Sequence, residues 1–429
     1  MPSARPTWRP GSLPEAAAVA GVVLLIAGLA FGRPDIGLLG LPALLGAVFS
    51  RTKPPAAEQT VVEEPRDPAS AGRVGSSVRI AGGEVAHVRV SASGHRRIEF
   101  VVPVPADGER RIELELASVR TGPQETAVVD VRGYEGIWEQ EPRSVGGTPR
   151  LVLPASLRLG GVPVPRTLRG LSGPRRSRRL GEGGELRDIH PFEPGDRLKR
   201  IDWRATARRS PNLETIYVRR TFADAEAAVV LVVDSRDEVG SDVRTWRRFG
   251  EQRVDEPTSL DLARNAAASI ARALVEHGDR VGLVDLALDA RPLPPATGRR
   301  QLRRIAHGLA LAHPVGTPNL RVRPPQVPAD ALIYLFSTLL DDAAAHLVRT
   351  WRGLGHPVVI VDTLPDVRPV DEPSLAIAWR IVRMERQLRL DRLSQEGVPI
   401  VRWAGSARAE AIAGLDALAR LAARKRDWR

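Results

Sequence analysis

The second half of the chain alternates between two apolar patterns. The continuous apolar run at 227–233 is typical of a parallel strand covered on both faces. Leu260 and Ala263 then begin a helical apolar spacing, and Thr258 and Asp261 form a capping-box pattern with Asp in place of the usual Glu. The predicted strands are 227–233, 280–288, 331–336, 358–361 and 398–402, and the predicted helices are 258–277, 299–312, 341–354, 373–393 and 406–424. This alternation predicts a doubly wound α/β domain over 225–429.

The middle of the chain has short apolar or alternating runs separated by turn signals such as Gly-Gly and Asp-Gly. The predicted strands are 78–80, 85–90, 97–102, 111–116, 126–131 and 149–153. Regular short strands of this kind indicate an antiparallel, sandwich-like β-rich domain over 72–165. A Pro- and Glu-bearing linker at 54–71 precedes this domain. We expect the domain to be a structural spacer or a docking module.

Two apolar runs, 16–31 and 36–49, lie at the start of the chain on either side of a short polar turn. A cleaved signal peptide, buried core helices and a membrane hairpin are the three alternatives, and the pairing of the runs favours a transmembrane helical hairpin over 1–53. Basic residues flank both outer ends, as Arg9 and Lys53 illustrate. That charge bias predicts a multi-pass protein of the cell membrane with its other domains in the cytoplasm.

Charge and composition narrow the function classes. The formal net charge is +12, and the chain has no cysteine, which excludes disulfides, thiolate metal sites and cysteine nucleophiles. The excess of arginine fits either a genomic bias or attraction to anionic partners. Basic residues are dense at 166–179, which is either a solvated loop or a contact for phosphates and lipid headgroups.

A run of acidic, basic and aromatic residues at 183–220 has a strong turn at its centre, Pro194-Gly195-Asp196. Asp196 and Asp202 lie among many arginines, so both carboxylates are expected to be paired. Asp202 beside Trp203 indicates a partly buried anchor, and 213–218 has strand character. We assign 166–224 to a basic linker followed by this signature segment.

The segment resembles the family called domain of unknown function 58. The residues that carry the resemblance are Phe192, Pro194, Gly195, Asp196, Arg200, Ile201, Asp202, Trp203, Ala207 and Arg208. The pattern departs from the family where His190 and Phe192 replace an Arg and a Tyr. The resemblance implies a membrane hairpin, a β-rich segment and a von Willebrand factor A-like (vWA-like) domain. It also implies a non-enzymatic scaffold or adaptor that partners a MoxR-type AAA+ ATPase in the assembly or maturation of other protein complexes.

The vWA-like resemblance also bears on metal binding. In such domains the first strand ends in D-x-S-x-S, and a later Thr and Asp complete a divalent cation site. Asp234 is kept here, but Arg236 and Glu238 replace the serines, and Thr338 stands where the later acid belongs, although Thr297 can represent the threonine.

We therefore expect a degenerate cation site, no Mg²⁺ and no other cofactor. Arg236 is expected to pair with Asp234 near the vacant cation position. A shifted register that uses Ser235, Asp237 or Asp341 would restore oxygen ligands.

Enzyme chemistry has no candidate residues in this sequence. The eight histidines lack a metal-ligand spacing such as HExxH, and no Gly-rich phosphate loop follows the first predicted strand. The prediction is a non-enzymatic adaptor. The alternative is a basic protein that binds membrane surfaces or nucleic acid through 166–179, with binding that falls steeply as salt rises.

Overall fold

The protein is described by a computed structural model. It covers residues 8–49, 59–68, 70–91, 97–106, 108–125, 127–165, 168, 173, 175–246, 253, 255–287, 292–315 and 324–427. Contacts divide the chain into two compact units, one formed by 1–118 and 123–152 and the other by 119–122 and 153–429. The five-segment division predicted from the sequence stays a prediction.

The first part of the chain begins with β1 (Trp8–Pro10) and two helices, α1 (Ser12–Ala30) and α2 (Pro34–Phe49), which pack against each other. Their approach is close, since a Cβ on Gly28 would lie 2.5 Å from the backbone nitrogen of Gly37. Among the helices of the described segments, none combines the length and the apolar character that a membrane crossing requires.

The predicted transmembrane hairpin over 1–53, and with it the multi-pass membrane localisation, is therefore wrong. The physical reason is length. A bilayer core requires about 20 apolar residues, whereas α2 has 16 residues and the first turn of α1 includes Ser12 and Glu15. Hydropathy alone did not separate a membrane span from a short apolar helix pair.

Short antiparallel strands follow, as the alternating pattern predicted. They are β2 (Thr60–Arg66), β3 (Arg73–Ala81), β4 (Val85–Ser91), β5 (Ile98–Pro103), β6 (Glu109–Ala117), β7 (Gly122–Glu125), β8 (Val128–Glu135), β9 (Trp138–Gln140), β10 (Arg143–Gly146) and β11 (Pro149–Val152). One sheet has the order β1-β9-β8-β4-β5 with β10 beside β8, and another has the order β2-β3-β6. Val78 and Ile80 from one sheet and Val88 and Val129 from the other share one buried core, so the two sheets pack face to face.

The second unit opens with a ribbon of two antiparallel strands, β12 (Arg175–Pro191) and β13 (Tyr217–Ala225), with α3 (Trp203–Arg209) between them. The sequence pattern missed β12 and placed the strand of 213–218 too early. Leu213 has a φ of 59°, which a strand does not contain, and pairing begins at Tyr217. Half of the basic stretch 166–179 lies outside the described residues.

The rest of the unit is the predicted α/β alternation. Its elements are β14 (Ala228–Val233), α4 (Ser259–Glu276), β15 (Arg280–Asp285), β16 (Leu293–Ala296), α5 (Gly298–Leu311), β17 (Leu332–Ser337), α6 (Asp342–Gly353), β18 (Val358–Asp362), α7 (Pro373–Gln395), β19 (Ile400–Arg402) and α8 (Arg408–Asp427). The strand order is β16-β15-β14-β17-β18-β19, parallel except for β16. Apolar residues of α4, α5 and α8 cover one face, and those of α6 and α7 cover the other.

The order of connections reverses at β14, which lies between β15 and β17. In open α/β sheets, ligands bind outside the carboxyl ends of the strands at such a switch point. The fold therefore directs attention to the residues that follow Val233, Phe336 and Val361.

Candidate functional site

A cluster of charged side chains lies at the carboxyl edge of β14 and β17. Asp234 directly follows β14, and its N–H donates to the carbonyl of Phe336 on β17 at 2.9 Å. Asp341 is the N-cap of α6, where its carboxylate accepts from the N–H of Ala344 at 3.4 Å. The end of β14 and the start of α6 thus place two acids on one edge of the sheet.

Arg236 bridges these two acids. Its Nε and Nη2 donate to the two carboxylate oxygens of Asp234 at 2.7 and 2.9 Å, and its Nη1 and Nη2 donate to Asp341 at 3.0 and 3.2 Å. The side chains of Asp234 and Arg236 are each 6% exposed, so both charges are largely removed from water. Ser337 adds a hydroxyl that donates to Asp234 at 2.8 Å. The expected pairing of Arg236 with Asp234 is present, and Asp341 supplies a second acid.

The electrostatics of the cluster follow from this packing. Burial lowers the pKa of Arg236, but the hydrogen bonds and charges of Asp234 and Asp341 outweigh that effect and raise the pKa above its ordinary value. Burial also raises the pKa of the neighbouring Asp237 carboxyl, and the charges of Asp234 and Asp341 raise it further, against the opposing effect of Arg236. Arg236 is therefore a permanent cation inside a group of acids.

The other residues predicted to mark a degenerate cation site lie apart from these bonds. Glu238 accepts from Arg120 at 2.9 Å and from the hydroxyl of Thr258 at 2.7 Å. Thr297 is exposed at the N-terminus of α5, and Thr338 is largely buried with its carbonyl accepting from Arg386 at 2.7 Å. Within the described segments, none of these three side chains bonds to Asp234 or Arg236.

A Mg²⁺ ion does not fit these residues as they stand. The ion requires near-ideal octahedral oxygen coordination, whereas every oxygen of Asp234 and Asp341 already accepts from Arg236. The same edge neutralises Asp362 with Arg386 and Asp342 with Arg389. The acids at this edge are therefore paired with arginines of the same protein, and neither carboxylate oxygen of Asp234 is free to coordinate a cation.

The signature segment forms a turn and a short helix built on the β12–β13 ribbon. Gly195 has a φ of 104°, which favours glycine, and the N–H of Asp196 donates to the carbonyl of Glu193 across the turn at 3.0 Å. Asp196 does not pair with the arginines next to it in sequence; its Oδ2 lies 3.5 Å from Arg220 of β13. Arg200 donates to the carbonyl of Gly181 at 2.7 Å, and Ile201 forms a single bridge to β13.

Asp202 is the buried anchor that the sequence predicted. It caps α3 by accepting from the N–H of Ala205 at 3.0 Å, and it pairs with Arg219 at 2.7 Å. The Ala205 N–H, followed by Arg219, holds the pKa of Asp202 below its ordinary value. Trp203 does not share this burial, because 63% of it is exposed.

The outward side of the signature segment includes several residues that carry the resemblance. Trp203 and Ala207 are four residues apart on α3, so they lie on one face of the helix, and Arg208 is exposed beside them. Phe192 is 37% exposed, and Pro194 lies in the exposed turn. These side chains are available to a partner surface.

Two clusters escaped the sequence analysis. His190, Glu193 and Asp196 have ligand atoms within 4.8 Å of one another, and their three-residue spacing around a turn was the available signal. Arg120 forms ion pairs with Glu238 and with Asp261, which lies 141 positions further along the chain, so no local pattern could have revealed that contact.

Comparisons with known proteins agree with the signature. The sequence model of one family, described as "Protein of unknown function DUF58", matches residues 188–390. No curated protein and no solved structure matches the chain. The matched region contains the turn, α3 and the sheet from β14 to β18, with the Asp234–Arg236–Asp341 cluster. The region 188–390 therefore belongs to the DUF58 family.

Proposed function

We propose that this protein is a non-enzymatic adaptor that binds another protein without the help of a divalent cation. The observation that carries the proposal is the position of Arg236, which fills the space between Asp234 and Asp341 with its guanidinium group. The edge of the sheet where an α/β protein would bind a ligand is thus closed by an internal ion pair.

Displacing Arg236 from its two acids would cost free energy. A cation that entered between the two acids would have to move Arg236 out. Breaking a buried ion pair lowers the stability of a protein by about 3–5 kcal/mol. In vWA-like domains, which the C-terminal unit resembles, a bound cation commonly contacts an acid of the partner. Binding here would instead use direct side-chain contacts.

The exposed face of α3 supplies a suitable contact. Trp203 is 63% exposed, and tryptophan and arginine are the residues that most often dominate the binding energy of protein interfaces. Asp202 fixes the start of α3 by capping the helix and by pairing with Arg219 of β13, so Trp203 lies on a helix that is anchored to the ribbon. This combination favours protein recognition at α3.

The resemblance to the family supplies the partner. We infer a MoxR-type AAA+ ATPase, with this protein linking the ATPase to complexes that it assembles or matures. The vWA-like resemblance of the second unit is consistent with such a role, since the unit has a doubly wound sheet with a closed switch point.

The first test is calorimetric. We expect titration of the full chain with Mg²⁺ and with Mn²⁺ to give no saturable heat at the Asp234 edge. The Asp234→Asn variant serves as the comparison, because it keeps the size of the side chain. A binding isotherm in the parent protein that disappears in Asp234→Asn would contradict the metal-independent mode.

The second test addresses the partner. We expect pull-down with the full chain to recover an AAA+ ATPase, and Trp203→Ala to weaken this interaction by about thirtyfold, as loss of a central interface tryptophan worth about 2 kcal/mol would. Leu354→Ala is the matched control, because Leu354 is 66% exposed and is the C-cap of α6, away from α3 in the sequence. Recovery of nucleic acid that is lost at high salt would instead support the basic-surface alternative.

A further inference from the structure

Three potential metal ligands converge at the turn of the signature segment. His190 lies at the end of β12, and Glu193 and Asp196 are the first and last residues of the turn that follows. One ligand atom from each of the three lies within 4.8 Å of the others. The cluster belongs to the second unit and does not involve the Asp234 edge, so it goes beyond the proposed function, which concerns that edge and the exposed face of α3.

The backbone fixes two of these residues before any ion binds. Gly195 allows the tight turn through its positive φ, and the N–H of Glu193 donates to Oδ2 of Asp196 at 3.0 Å. His190 is held by strand pairing opposite Val218. Such pre-organisation lowers the conformational cost of assembling a metal site.

The distance between His190 and Asp196 matches tetrahedral coordination. Zinc bonds of about 2.0–2.1 Å to His and carboxylate place neighbouring ligand atoms about 3.3–3.4 Å apart. Nε2 of His190 lies 3.4 Å from Oδ2 of Asp196. The same Nε2 is buried and has no hydrogen-bond partner in the described protein, so its ring nitrogen faces the acids without bonding to them.

Arg220 contacts both carboxylates of the cluster. Its Nη2 donates to Oε2 of Glu193 at 2.7 Å and lies 3.5 Å from Oδ2 of Asp196. The side chain of Glu193 is 64% exposed, so it can turn from the guanidinium toward an ion beside His190. A divalent ion therefore competes with Arg220 for the carboxylates, and this competition weakens the site without closing it.

The geometry points to a binding site for a transition-metal ion of the Zn²⁺ class, with His190 Nε2, an oxygen of Asp196 and an oxygen of Glu193 as protein ligands. Imidazole with carboxylates suits such borderline ions better than it suits Mg²⁺ or Ca²⁺. Three protein ligands leave a fourth tetrahedral position for water. His190 stands where the family pattern has an arginine, so the imidazole ligand is a feature of this chain.

The test is titration of the full chain with Zn²⁺ at pH 7.5, followed by X-ray absorption of the bound ion. We expect one ion per chain, one nitrogen and two or three oxygen neighbours, and loss of the isotherm in His190→Ala and Asp196→Asn. His346→Ala is the matched control, because His346 is exposed on α6 away from the cluster, and it should bind as the parent protein does. Asp234→Asn should also bind normally, which separates this site from the switch-point edge.

Arg220→Gln gives a second, independent outcome. Removing the competing charge should tighten Zn²⁺ binding by about tenfold or more, whereas a purely structural role for Arg220 predicts no gain. The inference is overturned if the parent protein gives no isotherm, if His190→Ala binds as tightly as the parent, or if Arg220→Gln binds more weakly.

Discussion

At the scale of single residues, Asp237 experiences the excess negative charge beside Arg236. Burial raises its pKa, and Asp234 and Asp341 raise it further. The folded protein thus holds the Asp237 proton more tightly than the unfolded chain, in which the pKa of an Asp carboxyl is about 3.9. The stability contributed by this group is complete below the unfolded pKa and is lost as pH rises through the higher folded pKa.

Asp237→Asn should therefore be more stable than the parent protein at pH 7, and the difference should disappear near pH 3. The amide stays neutral throughout, so the variant avoids the loss that ionisation causes. Urea unfolding midpoints measured from pH 3 to pH 7 check the expectation. Glu410→Gln, an exposed change on α8, is the control. A stability difference that does not change with pH would refute the assigned environment.

Arg236 also shows what a sequence can reveal at this scale. Its pairing with Asp234 was predictable because the two residues are separated by one position after a strand. Asp341 was recognised only as an alternative ligand, because its contact with Arg236 spans 105 positions and depends on where α6 begins. The exposure of Trp203 was not predictable, since its neighbour Asp202 is buried.

At the scale of elements, the start of α4 has a complete capping box. The hydroxyl of Thr258 accepts from the N–H of Asp261 at 3.3 Å, and the Asp261 carboxylate accepts from the N–H of Thr258 at 3.0 Å. The sequence predicted this cap, and the structure confirms it. The same hydroxyl lies 2.7 Å from Glu238, so it also joins α4 to the segment after β14.

Thr258→Ala should lower the free energy of unfolding by about 1–2 kcal/mol, the upper part of the range for loss of an N-cap, because Thr258 is 1% exposed. Thr258→Ser keeps the hydroxyl and should recover most of the loss. Denaturant midpoints with an unchanged m-value measure the effect. Equal losses in the two variants would mean that the methyl group, rather than the cap, is responsible.

Elements whose apolar residues recur with a clear helical or strand spacing were predictable, and elements without such a spacing were not. Residues of α4 and β14 follow clear helical and buried-strand patterns, and their observed bounds lie close to the predicted ones. β12 has Arg, Gly and Glu in place of alternation, and its register shifts between Arg176 and Leu180 and again after Gly181. Such bulges remove the two-residue period by which a strand is recognised.

At the scale of the whole molecule, the four residues 119–122 belong to the second unit although the strands before and after them in the chain belong largely to the first. Arg120 lies 2.9 Å from Glu238 and 2.7 Å from Asp261. Thr121 donates to Asp261 from both its N–H and its hydroxyl at 2.7 Å, and it accepts from Arg264. The side chain of Asp261 is 2% exposed, so these contacts replace nearly all of its contact with water.

Arg120→Met should destabilise the second unit by about 3 kcal/mol, the lower end for breaking a buried pair, because Arg264 still lies 3.3 Å from Asp261. Methionine preserves the apolar stem, so the loss reports on the charge. Hydrogen exchange supplies the local readout: the amide of Thr121 should lose protection before the amides of β14 do, since its acceptor is Asp261. Arg110→Met, on exposed β6, should leave that protection unchanged. If Thr121 and β14 lost protection together, the segment would unfold with the sheet as one unit, and the ion pair would not be its separate attachment.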